Sequence, residues 1–182
     1  MNPSFEADPP RRRSIRLAGF DYTRNGRYFL TVCAAGQACL FGVVRHGAVQ
    51  LSPLGQIVAG EWETTMRLRP YLESNAAVVM PNHFHAVFTL TRDGFLRRGA
   101  ACYALREPPR RPPEAHSVGA IVRAFKSAVT RAARTKLSHR GRVWQRNYYE
   151  HVIRNDKEYL RACSYVRRNP EEWELDREGG AQ

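Results

Sequence analysis

The segment from residue 76 to residue 90, AAVVMPNHFHAVFTL, is the part of the chain that most constrains its fold. It is rich in β-branched, aromatic and small apolar residues, and Pro81-Asn82 interrupts it. Such runs are typical of strands, and a proline followed by asparagine is typical of a turn. We therefore expect two strands separated by this break, with the histidines of the segment on the second one.

Three other segments have the composition of strands. Residues 27–34, RYFLTVCA, form a first β-rich run. Apolar runs at 39–44 and 48–51 flank Arg45-His46-Gly47 and predict a hairpin, because a glycine favours a tight turn between them. Residues 148–154, YYEHVIR, predict a short strand late in the chain.

Three segments have helical periodicity. Ser52 can cap the first, with Pro53 in its first turn, and Ser117 opens the second. Asn155 caps the third, with Glu158 completing a capping box. We expect this last helix to end at Pro170.

This order of elements predicts an α+β fold: a ferredoxin-like antiparallel sheet with helices packed on one face. The length of 182 residues suits one domain, placed at 27–173, with an inserted, proline-rich loop at 91–116. Residues 1–26 are expected to form a basic, partly disordered arm, and residues 174–182 a tail. Because fold does not determine function, the candidate sites must be argued from their residues.

The charge of the chain indicates a polyanionic partner. It has 29 basic and 17 acidic residues, a net charge of +12. Only three of the basic residues are lysines, so 26 are arginines, whose planar forks match phosphate oxygens. Nucleic acid is the commonest such partner, although arginine abundance can also reflect genome composition.

Composition excludes several classes of protein. Hydrophobic residues make up 43% of the chain and charged residues 25%, which is ordinary for a globular protein and argues against a disordered or fibrous one. The chain has no apolar run of membrane-spanning length, so we expect no membrane partner, and its N-terminus does not resemble a signal peptide. Four cysteines without a pairing pattern favour a reducing cytoplasm, where a DNA partner would place the protein at the nucleoid.

The most specific local feature is the pair His83 and His85. Residues two apart on a strand point to the same face, so both imidazoles would project together while Phe84 faces the core. Two converging neutral imidazoles suit a divalent metal. An isolated pair at this spacing is, however, more often two unrelated surface histidines.

The last helix offers a third metal ligand and a nucleophile. Tyr165 and Asn169 are four residues apart and therefore share a helix face. The amide oxygen of Asn169 could complete the coordination with His83 and His85, and the phenol of Tyr165 could attack a phosphodiester, forming a phosphotyrosine and a free 3′-hydroxyl. On spacing alone, a C-terminal cap before Pro170 is the favoured role for Asn169, and Tyr165 can equally be a partly buried aromatic beside the core.

A basic helix face and an aromatic segment suggest where DNA would bind. Arg123, Lys126 and Arg134 would form a phosphate-facing stripe on the second helix. Arg146 beside Tyr148 suits unpaired bases, and Arg154 adds charge near the proposed tyrosine. Core packing explains Trp144 and one of the tyrosines of this segment equally well.

Several blocks of this sequence, taken in order, resemble the IS200-like single-tyrosine (Y1) transposases of the HUH superfamily. Within that group the chain is most similar to the REP-associated tyrosine transposases. The resemblance covers residues 27–173 and rests on CLFGVV…GAVQLSPLG, MPNHFHAVF, SVGAIVRAFKSAVT, VWQRNYYEHVIRN and YVRRNPEEW. It implies the HUH fold, with His83, His85 and Asn169 as ligands of Mg²⁺ or Mn²⁺ and Tyr165 as the catalytic residue. It also implies a single-stranded DNA substrate beside a hairpin or repeat palindrome, and it favours a monomer over a homodimer.

Two other functions are compatible with the same residues. A non-catalytic nucleic-acid-binding protein, either a domesticated transposase or a repressor, would need no metal. A hydrolytic nuclease would use water as the nucleophile and leave Tyr165 with a structural role. The intact set of His83, His85, Tyr165 and Asn169 favours the strand-transferring enzyme.

Overall fold

The computed structural model describes residues 24–91 and 117–179, with side chains described as far as Trp173. Residues 1–23 of the expected arm and 92–116 of the expected loop lie outside the described residues. The strands are β1 (Gly26–Cys33), β2 (Gly42–Arg45), β3 (Ala48–Leu51), β4 (Leu72–Val79), β5 (His83–Leu90) and β6 (Tyr149–Ile153). The helices are α1 (Pro53–Arg67), α2 (Val118–Leu137) and α3 (Asp156–Gly179), and a single 3-10 turn covers Ala35–Gln37.

Four of the strands form one antiparallel sheet in the order β4-β5-β1-β6, and β2 pairs separately with β3. The central pair β1 and β5 aligns Thr31 with His85 and Cys33 with His83. Leaving the β2–β3 hairpin aside, the chain runs strand, helix, strand, strand, helix, strand, which is the ferredoxin-like connectivity. The predicted α+β class with an antiparallel sheet is confirmed.

The helices divide between the two faces of the sheet. Tyr28, Phe84 and Phe88 are buried on the face covered by α1 and α2, where the ring of Trp62 lies 5.1 Å from that of Phe84. The opposite face carries Val87, which packs in a second cluster with residues of α3. The prediction that all helices share one face is therefore wrong for α3, because the alternate residues of the central strands are apolar too and need cover.

The predicted turns and caps are present. His46 and Gly47 both have positive φ values, 53° and 67°, as a two-residue turn between β2 and β3 requires. The hydroxyl of Ser52 accepts a hydrogen bond from the backbone N–H of Gly55 at 3.0 Å. Ser117 caps α2 in the same way. Local sequence therefore sets where these elements begin.

Helix α3 does not end at Pro170 as expected but continues to Gly179. A proline inside a helix loses one backbone hydrogen bond and costs about 3 kcal/mol, so neighbouring contacts must compensate. Asn169, just before it, is buried, and the ring of Trp173 lies against His83. The expected tail at 174–182 thus begins within the helix, and Asn169 is an interior helical residue and not a cap.

Within residues 24–91 and 117–179, every helix is too short or too polar to cross a bilayer.

Candidate active site and nucleic-acid interface

The histidine pair lies on β5, on the face of the sheet that α3 covers. His85 is buried, with 4% of its surface exposed, and His83 is half-buried. Their ring centroids are 4.3 Å apart, as the two-residue spacing predicts. The backbone of one strand thus brings both imidazoles to one point.

Hydrogen bonds orient the two rings. Nδ1 of His83 lies 2.6 Å from the amide oxygen of Asn82, which can only accept, so Nδ1 carries the proton and Nε2 presents a lone pair. Nδ1 of His85 lies 2.8 Å from the hydroxyl of Thr31 on the neighbouring strand. Such partners on the far nitrogen are what hold metal-ligating histidines in position.

Both imidazoles are held in the neutral form. Burial lowers the pKa of His83. Burial, together with the proximity of His83, lowers the pKa of His85 to about 3. Neutral imidazoles retain the lone pair that a metal ion needs.

Helix α3 brings Tyr165 and Asn169 to the histidines. The ring of Tyr165 lies 5.4 Å from that of His85, and 41% of its surface is exposed, so a substrate can reach its phenol. Asn169 is 7% exposed and lies beside His83, where it favours the charged imidazole. Yet neither Oδ1 of Asn169 nor Nε2 of His83 has a hydrogen-bond partner of ordinary geometry.

These two unpartnered acceptors fit a cation. Burying a lone pair without a partner costs free energy, and a divalent ion would satisfy both at once. In the described residues no three His, Cys, Asp or Glu side chains converge. The buried, unpartnered amide oxygen of Asn169 is therefore the candidate for a third protein ligand.

Phe29 on β1 packs against the aromatic residues of the site. Its ring lies 5.3 Å from His85, 6.1 Å from Tyr165 and 6.2 Å from Tyr149. These residues line an open cleft of about 470 Å³, here called the tyrosine cleft, together with His151, Glu158 and Arg161. The cleft leaves the side chain of Tyr165 accessible from solvent.

Sequence reasoning missed Trp173. Its ring centroid lies 5.6 Å from that of His83. Tyr165, Asn169 and Trp173 follow one another at intervals of four and so share one face of α3. That spacing was a readable signal, but the expected helix end at Pro170 concealed it.

A second concave surface, here called the basic groove, lies between α2 and residues 140–148 and has a volume of about 960 Å³. None of its described lining residues is acidic. Five of the six predicted DNA-contacting residues line this groove: Arg123, Lys126, Arg134, Arg146 and Tyr148. Arg154 does not line the groove and is exposed just before α3. The groove's basic residues are Arg123, Lys126, Arg131, Arg134, Arg140, Arg142 and Arg146, and Tyr148 lies among them.

Lys126 differs from the arginines of the groove. Its ammonium donates hydrogen bonds to the backbone carbonyls of Gln145 at 2.6 Å and Arg146 at 3.3 Å. Partial burial lowers its pKa. The backbone carbonyl of Lys126 also accepts from the indole of Trp144. The predicted phosphate contact is thus engaged in holding the 144–146 segment against α2.

The basic groove and the tyrosine cleft meet at the edge of the sheet. The groove lies on the side of α2, whereas the histidines face α3. Tyr148 lines the groove and the next residue, Tyr149, lines the cleft. The two surfaces are therefore adjacent at the start of β6.

No protein-family model matches the chain. An uncharacterized protein of Haemophilus influenzae is 37% identical over 179 residues, covering 97% of each chain. The REP-associated tyrosine transposase of Escherichia coli K12 is 26% identical over 156 residues, which is 82% of this chain and 68% of that protein. A solved structure of a REP-associated tyrosine transposase bound to a REP hairpin superposes with a TM-score of 0.56 and 25% identity, over 86% of this chain and 73% of that one.

Proposed function

We propose that this chain, which is similar in sequence and in fold to REP-associated tyrosine transposases, cleaves and rejoins single-stranded DNA through a covalent bond to Tyr165. The observation that carries the proposal is the convergence of Tyr165 and Asn169 on the histidine pair. His83 Nε2 and Asn169 Oδ1 are buried without partners there, and an exposed phenol lies beside them. The structural relative is bound to a REP hairpin, which favours DNA next to a hairpin or repeat palindrome as the substrate.

His83, His85 and Asn169 are the residues that would hold Mg²⁺ or Mn²⁺. When bound, such an ion would polarise the scissile phosphodiester and stabilise the developing negative charge. Thr31 and Asn82 keep the two imidazoles oriented, and burial keeps them neutral. Both imidazoles would therefore be oriented and neutral before a metal ion binds.

Tyr165 would supply the nucleophile. Its phenolic oxygen forms a bond to phosphorus as the bond from phosphorus to the 3′-oxygen breaks. The phenolic proton is released, and the departing 3′-oxygen takes up a proton to become a hydroxyl. Because the phosphotyrosine conserves the energy of the broken bond, attack by a 3′-hydroxyl reverses the step without ATP. Phe29, packed against the Tyr165 ring, restricts where that ring can lie.

The basic groove would hold the DNA backbone. Its arginines can neutralise phosphates on the α2 side while a strand crosses β6 into the tyrosine cleft. Arg123, Arg134 and Arg146 are exposed and available for this, and Tyr148 offers a stacking surface at the crossing point. Arg154, exposed just before α3, would add a further positive charge for the DNA backbone.

The test uses labelled single-stranded hairpins drawn from repeats of the source genome, incubated with protein and Mn²⁺ or Mg²⁺. A denaturing gel should show a covalent protein–DNA band that is lost with chelator and with Tyr165→Phe. Tyr149→Phe, also in the tyrosine cleft, is the matched control and should keep the band. A band that survives Tyr165→Phe would refute the assignment of the nucleophile.

Two further outcomes separate the alternative functions. Metal-dependent cleavage without any adduct would indicate a hydrolytic nuclease. Binding without cleavage in both metals, across the whole library, would indicate a DNA-binding protein without this chemistry.

A further inference from the structure

Three residues at or beside the histidine pair each bury a polar atom without a hydrogen-bond partner: Nε2 of His83, Oδ1 of Asn169 and Nε1 of Trp173. The first two are lone-pair acceptors, since His83 carries its proton on Nδ1. The third is an indole N–H, which can only donate. A cation can satisfy the two acceptors, but it repels the donor.

Trp173 belongs to the wall of this site. Its ring centroid lies 5.6 Å from that of His83, and it follows Asn169 by one helical turn on the face that carries Tyr165. Continuation of α3 through Pro170 is what places it there. The other two tryptophans, Trp62 and Trp144, are buried on the opposite face of the sheet.

An anionic oxygen held next to a cation would satisfy the indole as well. Such an oxygen shares its negative charge between the cation and a nearby N–H donor, and hydrogen bonds to ionised groups are the stronger ones. Phosphate oxygens have this character. The donor and acceptor types of the three atoms thus match a cation–phosphate pair better than a cation alone.

We propose that the indole N–H of Trp173 donates a hydrogen bond to a phosphate oxygen bound beside a cation at His83 and Asn169. This inference rests on the proposed function, because it requires the metal site. It assigns to Trp173 the binding of substrate phosphate in addition to its packing against His83. Trp173→Phe removes the N–H while keeping an aromatic ring against His83.

The experiment separates metal binding from phosphate binding. Binding of Mn²⁺ alone is measured by the loss of the free-ion signal in electron paramagnetic resonance. Inorganic phosphate is then titrated into the Mn²⁺-loaded protein, and its ³¹P line broadening reports phosphate held close to the metal. Wild type is compared with Trp173→Phe, and with Leu160→Ala as an exposed control on the same helix.

Trp173→Phe should bind Mn²⁺ within about twofold of wild type but weaken phosphate binding by about tenfold or more, as expected for loss of a hydrogen bond to a charged group. Leu160→Ala should match wild type in both. Equal phosphate binding by Trp173→Phe and wild type would overturn the inference. So would weakened Mn²⁺ binding by Trp173→Phe, because the indole would then act only through His83.

The remaining outcomes separate this inference from the proposed function. If wild type binds Mn²⁺ and phosphate shows no broadening, the inference fails while the metal site stands. If wild type binds no Mn²⁺, the metal site fails and this inference fails with it.

Discussion

Lys126 lies in the basic groove, but its hydrogen bonds predict that it stabilises the fold more than it binds phosphate. Its ammonium donates to two backbone carbonyls of the segment that follows Trp144, at 2.6 and 3.3 Å. Lys126→Met keeps the length of the side chain and removes both bonds. We expect the free energy of unfolding to fall by about 1–2 kcal/mol, because the shorter bond is part-buried and the longer one is exposed.

Arg123 is the matched control, since it lines the same groove and is exposed. Arg123→Met should change the free energy of unfolding by less than about 0.5 kcal/mol. It should instead reduce the slope of log affinity for single-stranded DNA against log salt concentration by about 0.7, the value for one lost phosphate contact. Lys126→Met should alter this slope less than Arg123→Met does.

The two readouts are thermal unfolding and DNA binding by fluorescence anisotropy at several salt concentrations. For a chain of this size a loss of 1–2 kcal/mol lowers Tm by about 2–8 °C. If Lys126→Met leaves Tm unchanged and lowers the salt slope as much as Arg123→Met, Lys126 is a phosphate contact and our reasoning is wrong.

Three other predictions concern stability, each measured by denaturant unfolding. Gly55→Ala should lower the free energy of unfolding by about 3 kcal/mol or more, because the added Cβ would overlap the carbonyl oxygen of Phe41. Gly60→Ala meets no atom within 4 Å and should raise the free energy of unfolding by up to about 1 kcal/mol. Equal effects of the two substitutions would refute the contact. Asn155→Ala should cost about 1 kcal/mol, since its side chain accepts from the backbone N–H of Glu158 at 2.9 Å, and no loss would mean that this cap is not needed. A backbone hydrogen bond at the start of α3, then the contact with a histidine on β6, lowers the pKa of Glu158 below its usual 4.5. The contribution of Glu158 to the free energy of unfolding is therefore present above that pH and is lost on acidification. Glu158→Gln should flatten the acid limb of the profile of stability against pH, and an unchanged limb would contradict this.

Much of the candidate site follows from local patterns. The spacing of His83 and His85 on a strand is enough to place both on one face, and the spacing of Tyr165 and Asn169 is enough to place both on one side of a helix. Caps and turns are local in the same sense, because Ser52 and Asn155 bond to backbone groups three residues away. What the pattern leaves undetermined is whether the two faces meet.

The tertiary structure decided that they do. The apolar alternate residues of β1 and β5 required cover on the second face of the sheet, so α3 packs there and brings Tyr165 to His85. Thr31, 54 residues before His85, orients its ring through strand pairing, which no local pattern reveals.

The sequence by itself determined the kinds and order of the elements, the excess of arginine and the residues that share a face, because each depends on neighbours within a few positions. Only the tertiary structure decided that Lys126 bonds to carbonyls 19 and 20 residues away and that α3 passes Pro170. Both outcomes depend on packing between distant segments. For Pro170 in particular, the helix continues past a residue that locally favours its end, and Trp173 beyond it packs against His83 on β5.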